Sequence, residues 1–324
     1  MSTFQVIESE FKHFVLSDAD TSMALGATSH LGELGDASLE YMQRSTEEAK
    51  QLLARIENME DIEDFDQQLD LDLMGRYLKQ EIFFSDLQQH GQPQRCRKPH
   101  GVDGISEGIF QLFVNDERDA EARLGNILTR LQQAPAYLAV EARVITQPIE
   151  RWRDIELEQG EGLPDLFESI LNWAKETDYS QVETLQTAVT QCNEALATYL
   201  DDLKCRDCIT DFSIGEDKVK ELLNLRQINQ SPTELAQMAK EFMGETQLLL
   251  SNLRVRLCKK YNLAYEISES ELHDFLNENF AAKLKGGELS SVLDYYTDQI
   301  ESINQFVKKI IIILIEGMGK RPDE

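Results

Sequence analysis

Four basic residues of one short segment form the most compact group in the sequence that could bind an anion. Arg95, Arg97, Lys98 and His100 lie within QPQRCRKPHG. Guanidinium and ammonium groups donate hydrogen bonds to carboxylate and phosphate oxygens, so this loop could receive a phosphate or a carboxylate, the latter from a peptide or a small carboxylate ligand. A basic loop that balances an acidic surface explains the same residues, because a few charges alone specify no ligand. These four residues are our ligand-binding candidates.

Cys205 and Cys208 form the single C-x-x-C pair of the chain. A thioredoxin-like redox pair needs a βαβ setting, whereas this pair follows a predicted helix. A zinc site needs two more ligands, which Cys192 and Cys258 could supply only if folding brings them close. Two free thiols near a helix end is the simplest interpretation. Five cysteines spread thinly over 324 residues are typical of a reduced cytoplasmic protein.

No other group of residues has the spacing of a catalytic or metal site. The five histidines are far apart, and the phrase that begins at His273, HDFLN, lacks the Glu and the second His of an H-E-x-x-H motif. Residues 57–72 contain eight carboxylates but do not follow the calcium-loop pattern, so we interpret them as a solvated helix surface. The sequence therefore predicts no metal ligand, no cofactor and no catalytic residue.

The charge of the chain argues against two classes of partner. It has 59 acidic and 32 basic residues, with a net charge of −27. Nucleic acids and anionic lipids both attract Lys- and Arg-rich surfaces, so we expect neither nucleic acid nor membrane as a partner. The segment MSTFQVIESEFKHFVL has no basic start followed by a long apolar stretch, and we expect a cytoplasmic location.

The hydrophobic pattern has a helical period along almost the whole chain. From Ser231 the sequence SPTE is a capping box with proline at the first helical position, and the S-x-x-E start recurs at Ser180 and Ser268. Long amphipathic helices are predicted here and elsewhere. We therefore predict one nearly all-α domain over residues 1–324. The earlier predicted helices cover 2–16, 38–58, 62–89, 105–131, 135–158 and 163–176.

One apolar run near the end of the sequence does not show that period. Its β-branched residues favour a short buried β-strand over 309–315, although a fully buried continuation of the preceding helix fits the same residues. An edge strand pairs readily with other chains, so we predict that the run is buried against the domain or in a partner interface. The interface candidates are Ile310, Ile311, Ile312, Ile313, Leu314 and Ile315.

Several phrases, in order along the chain, resemble the bacterial family called domain of unknown function 885. They are ADTSMALGATSHLGELGDASLEYM, DFDQQLDLDLMGRYLKQEI, ARLGNILTRLQQAPAYLAVEARVITQPIERW, ITDFSIGEDKVKELLNL and SVLDYYTDQIESINQFVKKIIIILIEG. The resemblance implies a helical, zinc-metallopeptidase-like fold whose H-E-x-x-x-G-H metal motif lies in a C-terminal half. This chain resembles the N-terminal half, so no catalytic residue is carried over. Zinc would require ligands from a partner chain.

The resemblance and the absent metal motif leave three hypotheses for function. We favour a non-catalytic helical interaction protein that docks onto another chain or forms a homo-oligomer, as one part of a split or oligomeric assembly. The alternative is a peptidase-like hydrolase that acts through an unrecognised site or with a partner chain that supplies H-E-x-x-H. A small-molecule binding protein with a retained cleft is the third.

Overall fold

The computed structural model describes residues 3–59, 62, 64–93, 98–281 and 289–318. Apart from one short hairpin, the regular structure of these residues is α-helical, which confirms the predicted all-α class. The chain divides into two compact units, residues 1–237 and 238–324. The prediction of one domain over 1–324 stays a prediction.

The first unit is built from helices of 6 to 27 residues. A hairpin with His90 and Gly91 at positive φ, as a tight β-turn requires, precedes the fifth helix. The elements are α1 (Thr3–Leu16), α2 (Ala19–Ala24), α3 (Leu39–Glu57), α4 (Phe65–Asp86), β1 (Gln88–Gln89), β2 (Gln92–Pro93), α5 (Gly101–Val114), α6 (Ala120–Val144), α7 (Glu150–Glu176), α8 (Val182–Lys204) and α9 (Glu216–Leu225).

Two groups of buried apolar side chains form the core of this unit. The larger lies among α5, α6, α7 and α8 and includes Leu131, Phe167 and Leu196. The smaller joins α1, α3 and α4 and includes Ile7 and Leu78. The helices that contribute to these clusters place buried residues three or four apart, as the helical period of the sequence predicted.

Two prolines that interrupted the predicted helices lie inside longer ones. The helix α6 continues through Pro135 and α7 continues through Pro164, so the predicted boundaries at 135 and 163 are wrong. An interior proline costs a helix about 3 kcal/mol or more. In α6 the apolar residues Leu131 and Leu138 on either side of Pro135 are fully buried, and their packing offsets that cost.

Side-chain caps determine where other helices begin. The single helix predicted over 105–131 is two helices, because Asp119 accepts the backbone N–H of Ala122 at 2.8 Å and starts α6. The predicted capping boxes Ser231–Glu234 and Ser268–Glu271 are confirmed. The start predicted at Ser180 is wrong, because its hydroxyl contacts Glu121 and α8 begins after Gln181.

The second unit contains the rest of α10 (Pro232–Tyr261), together with α11 (Glu269–Phe280) and α12 (Leu289–Met318). Residues 309–315 are helical within α12, so the predicted strand is wrong. Each residue that lengthens an existing helix adds one backbone hydrogen bond, whereas a strand gains hydrogen bonds only from a neighbouring strand. The β-propensity of the isoleucines is a small free-energy term compared with these hydrogen bonds. Ile310 is 39% exposed, while the side chains of Ile311–Ile315 lie outside the described residues.

Candidate functional site

A cavity of about 390 Å³ in the first unit brings polar residues from four helices and three loops together. It lies beside the N-terminus of α5. Its carboxylates outnumber its cations, so the described lining has a negative potential. The charged residues around it are Asp18, Asp20, Asp36, Glu81, Lys98 and Glu141, with His100, Tyr41, Tyr77 and Tyr137 beside them.

Glu141 is the most buried carboxylate of this cavity, with only 5% of the residue exposed. Its Oε1 accepts the backbone N–H of His100 at 2.8 Å. Burial raises the pKa of Glu141 to about 7; the bond from His100 opposes the shift, and the neighbouring Glu156 adds to it. Among the described residues, its Oε2 makes no hydrogen bond.

Glu156 is buried close by but does not line the cavity. Its Oε1 accepts the backbone N–H of Val102 at 2.8 Å and the hydroxyl of Tyr199 at 2.9 Å. Burial raises its pKa, and these two bonds oppose the shift. Glu141 and Glu156 therefore supply, from α6 and α7, acceptors for the free N–H groups at the start of α5. His100 at the N-cap makes no such side-chain bond.

Glycines on α5 allow large polar side chains to cross its surface. A Cβ at Gly104 would overlap the hydroxyl of Tyr137, and a Cβ at Gly108 would overlap Nη1 of Arg130. The Tyr137 hydroxyl donates to the carbonyl of His100 at 3.4 Å. Burial, then the nearby Glu141 and Asp20, raise the pKa of Tyr137, so the phenol stays protonated as a donor at the cavity.

Arg130 is fully buried and attaches the segment after α2 to the core. Its Nε donates to the carbonyl of Leu31 at 2.8 Å, and its Nη1 donates to Oδ1 of Asp20 at 3.0 Å. One turn later, Gln133 donates to the carbonyl of Gly32 at 2.8 Å. These bonds hold Asp20 of α2 and the loop after α2, which carries Asp36 of the cavity wall.

The predicted ligand-binding residues are only partly described. Lys98 and His100 line the cavity, whereas Arg95 and Arg97 lie outside the described residues. The described lining is acidic, but two of the four predicted cations cannot be placed in it. Binding of a peptide or small carboxylate by this loop therefore stays a prediction.

The thiol pair is free in the structure. Cys205 is exposed and Cys208 is half-buried, and Nη1 of Arg153 donates to the sulfur of Cys208 at 3.1 Å. Cys192 is buried in α8, where burial raises its pKa to about 12. In the part of the chain that the structure describes, no three His, Cys, Asp or Glu residues are arranged to hold a metal ion.

Sequence reasoning did not identify Glu141, Glu156 or Tyr137. None belongs to a motif, and their burial arises from contacts between α5, α6 and α7. One signal was present: glycines at 101, 104 and 108 recur three or four residues apart around the start of the helix predicted from residue 105. Such spacing indicates that a bulky neighbour approaches the backbone closely.

The second unit has a different surface, with two rows of exposed apolar side chains. In the row on α10, which we call the α10 stripe, Phe242 is 70% exposed and every member is at least 47% exposed. The α12 stripe is similarly exposed and has a spacing of three or four residues. The α10 stripe is Met238, Phe242, Leu249 and Leu253; the α12 stripe is Leu293, Tyr296, Ile300, Ile303 and Val307.

No described helix is long and apolar enough to cross a membrane. Large contiguous apolar patches are rare on monomeric soluble proteins and mark sites where another molecule binds.

Comparison with known proteins gives a family and a fold. The family described as "Bacterial protein of unknown function (DUF885)" matches residues 20–316. No curated protein matches the chain. A solved structure from Shewanella oneidensis, of a protein of unknown function suggested to be a lipoprotein, has a TM-score of 0.64 and 16% identity. The match covers 94% of this chain and 58% of that chain, so this chain spans less than two thirds of its length.

Proposed function

This chain belongs to the bacterial family of unknown function DUF885. We propose that it acts as a non-catalytic interaction protein that docks a partner polypeptide. The observation that carries this proposal is the exposure of the α10 and α12 stripes. Burying one such apolar side chain stabilises a complex by about 1.5–3 kcal/mol before the costs of association. The proposed compartment is the cytoplasm, where free thiols such as Cys205 and Cys208 persist.

The distribution of charge supports the second unit as the docking surface. Residues 238–324 contain 14 acidic and 11 basic residues, whereas residues 1–237 contain 45 and 21. The excess negative charge therefore lies in the first unit. Interface cores are depleted in charge and enriched in Phe, Tyr and Met, which is the composition of the two stripes.

The occupant that we propose is the polypeptide equivalent to the rest of the longer fold. The match covers 58% of the structure from Shewanella oneidensis, so a large part of that chain is not matched by this one. A segment packed on the second unit would cover both stripes. It would be supplied either by a separate chain, as in a split metallopeptidase-like protein, or by further residues of a longer protein. A second copy of this chain is the competing occupant.

The test is a binding titration between the 324-residue chain and the polypeptide for that remaining part. We expect a 1:1 complex by light scattering after size exclusion. Phe242→Glu and Ile303→Glu would each weaken binding by about tenfold or more, because each places a charge in an apolar contact. Phe65→Glu is the matched control, since Phe65 is as exposed but lies in the first unit.

The outcomes separate the occupants. Binding that the two glutamate variants lose and the control keeps supports the proposal. A dimer of the chain alone, lost in the same variants, would instead identify a second copy. A monodisperse monomer that binds neither would overturn docking through these stripes.

A hydrolase is the second candidate, and the buried pair Glu141 and Glu156 favours it. General acid–base catalysis uses carboxyl groups whose pKa values are raised towards neutrality by burial, and Glu141 has that property. A partner that carries H-E-x-x-H would supply zinc ligands that no described group in this chain supplies. Turnover of peptides or esters by the complex, abolished by a chelator and restored by zinc, would establish this function instead.

A further inference from the structure

We propose that the carboxylate-lined cavity of the first unit binds the protonated amine of a small ligand. The site uses Asp18, Asp20, Asp36 and Glu141, none of which belongs to the apolar stripes. This inference is therefore independent of partner docking. It assigns a ligand class to the cavity: compounds with a primary ammonium group.

Glu141 provides the strongest reason. The residue is almost fully buried, yet it lines the cavity, and only its Oε1 has a hydrogen-bond partner, the N–H of His100. Its Oε2 is not sealed from solvent and has no hydrogen-bond partner among the described residues, so it is an acceptor that is open to the cavity. An ammonium N–H placed in the cavity would satisfy that oxygen.

The aspartates have the same arrangement, with one oxygen used locally and one remaining. Oδ1 of Asp18 accepts the N–H of Thr21 at 2.9 Å, and Oδ1 of Asp20 accepts from Arg130 at 3.0 Å. Their Oδ2 atoms converge beside Gly35, since each lies 3.8 Å from the position a Cβ would take there. An ammonium group placed beside Gly35 would be attracted by both carboxylates.

Asp36 and the phenols complete the wall. Oδ1 of Asp36 accepts the N–H of Ser38 at 2.9 Å, and Asp36 lines the same cavity. Both Asp18 and Asp36 raise the pKa of Tyr41, after the larger effect of its burial, which places this phenol among the aspartates. Carboxylate oxygens and hydroxyls together suit the three N–H donors of an ammonium group.

The volume limits the ligand to a small molecule. About 390 Å³ is at the lower end of the range for ligand pockets. Lys98 on the same wall could receive a carboxylate at the other end of a zwitterion. Two sources of the ammonium group therefore fit: a polyamine, or an amino acid or dipeptide.

The test is isothermal titration calorimetry of the full chain with three probes: spermidine, the dipeptide glycylglycine and succinate. We expect one of the two amines to bind in a 1:1 ratio and succinate not to compete with it. Spermidine binding would identify a polyamine site, and dipeptide binding a site that also uses Lys98. Both results support the ammonium proposal.

Two matched variants locate the binding. Glu141→Gln keeps an oxygen for the N–H of His100 but removes the charge that Glu141 carries above its pKa of about 7, so at pH 8 we expect about tenfold or more weaker binding. Glu156→Gln makes the same change beside the same helix end but outside the cavity, so affinity should stay within about twofold. Circular dichroism and melting would verify that both variants fold.

Three results would overturn the proposal: no binding of either amine at millimolar concentration, equal affinity in Glu141→Gln and the wild type, or tighter binding of succinate than of the amines. Phe242→Glu should leave amine binding unchanged. Failure of this site is therefore distinguishable from failure of docking through the second unit.

Discussion

Gly108 shows how one missing side chain supports the polar part of the first unit. Arg130 crosses α5 at this glycine and, fully buried, pairs with Asp20 and the carbonyl of Leu31. A buried guanidinium is stabilising only while its partners remain in place, because an unpaired buried charge is costly. The position of the loop after α2, and hence the cavity wall, depends on this contact.

We predict that Gly108→Ala lowers the free energy of unfolding by about 3 kcal/mol, because the new methyl group displaces Arg130 from its ion pair. Urea denaturation followed by tryptophan fluorescence would measure the change, since Trp152 and Trp173 both lie in the first unit. The control is Gly162→Ala in α7, where nothing lies within 4 Å of the new Cβ. It should stabilise by up to about 1 kcal/mol. Equal stability of the two variants would refute this role of Arg130.

Individual residues of the cavity in the first unit were only partly predictable from the sequence. Lys98 and His100 were selected as a basic cluster, and they line the cavity. Glu141 could not be selected, because a single glutamate among 59 acidic residues carries no motif. Its burial follows from the packing of α6 against α5, a contact between helices that hydrophobic periodicity does not describe.

At the scale of elements, the N-terminus of α5 is capped by carboxylates from other helices. Glu141 and Glu156 accept the N–H groups of His100 and Val102, so helix α5 depends on α6 and α7 for its first turn. These bonds favour ionised carboxylates, whereas burial favours neutral ones. Burial is the larger effect, because the pKa values of both residues are raised.

This balance predicts a pH dependence of stability. Burial raises the pKa of Glu141 from its ordinary 4.5 to about 7. The folded protein therefore binds a proton that the unfolded chain releases, and the resulting stability is fully present below pH 4.5 and lost as the pH rises through about 7. Such a shift corresponds to about 3 kcal/mol.

Glu141→Gln should remove this dependence. Relative to the wild type, we expect the variant to gain about 3 kcal/mol of stability between pH 4.5 and pH 8, measured by urea denaturation at each pH. Glu194→Gln, at an exposed position of α8, is the control and should follow the wild type. If the difference in unfolding free energy between Glu141→Gln and the wild type stays constant with pH, the burial of a protonated Glu141 is contradicted.

Elements were predictable where local signals decided them. The boxes at Ser231 and Ser268 have the same S-x-x-E pattern as Ser180, but only the first two cap a helix. Ser180 differs because Glu121 of α6 takes its hydroxyl, a contact that its own sequence neighbours cannot reveal. The run at 309–315 was wrongly predicted as a strand, because its local sequence did not reveal its structure either. Its β-branched composition was visible, whereas its continuity with the hydrogen-bonded helix α12 was not.

Across the whole molecule, the two units differ in whether their apolar side chains are buried or exposed. The first buries them in two clusters, while the second exposes the α10 and α12 stripes. The stripes were visible in the sequence as helical periodicity. Periodicity normally indicates a face turned to the protein's own core, so the sequence could not show that these faces are exposed.

Side-chain footprinting of Met238 and Met243 would show whether a partner polypeptide covers α10. Both methionines are more than half exposed on α10, whereas Met74 is buried in the first unit and serves as the internal control. In the 324-residue chain alone, we predict rapid oxidation of Met238 and Met243 and slow oxidation of Met74 by hydroxyl radicals. Adding the polypeptide for the rest of the longer fold should protect Met238 while leaving Met74 unchanged. Protection of Met238 in the monomeric chain alone, or unchanged oxidation after saturating addition of that polypeptide, would contradict the account.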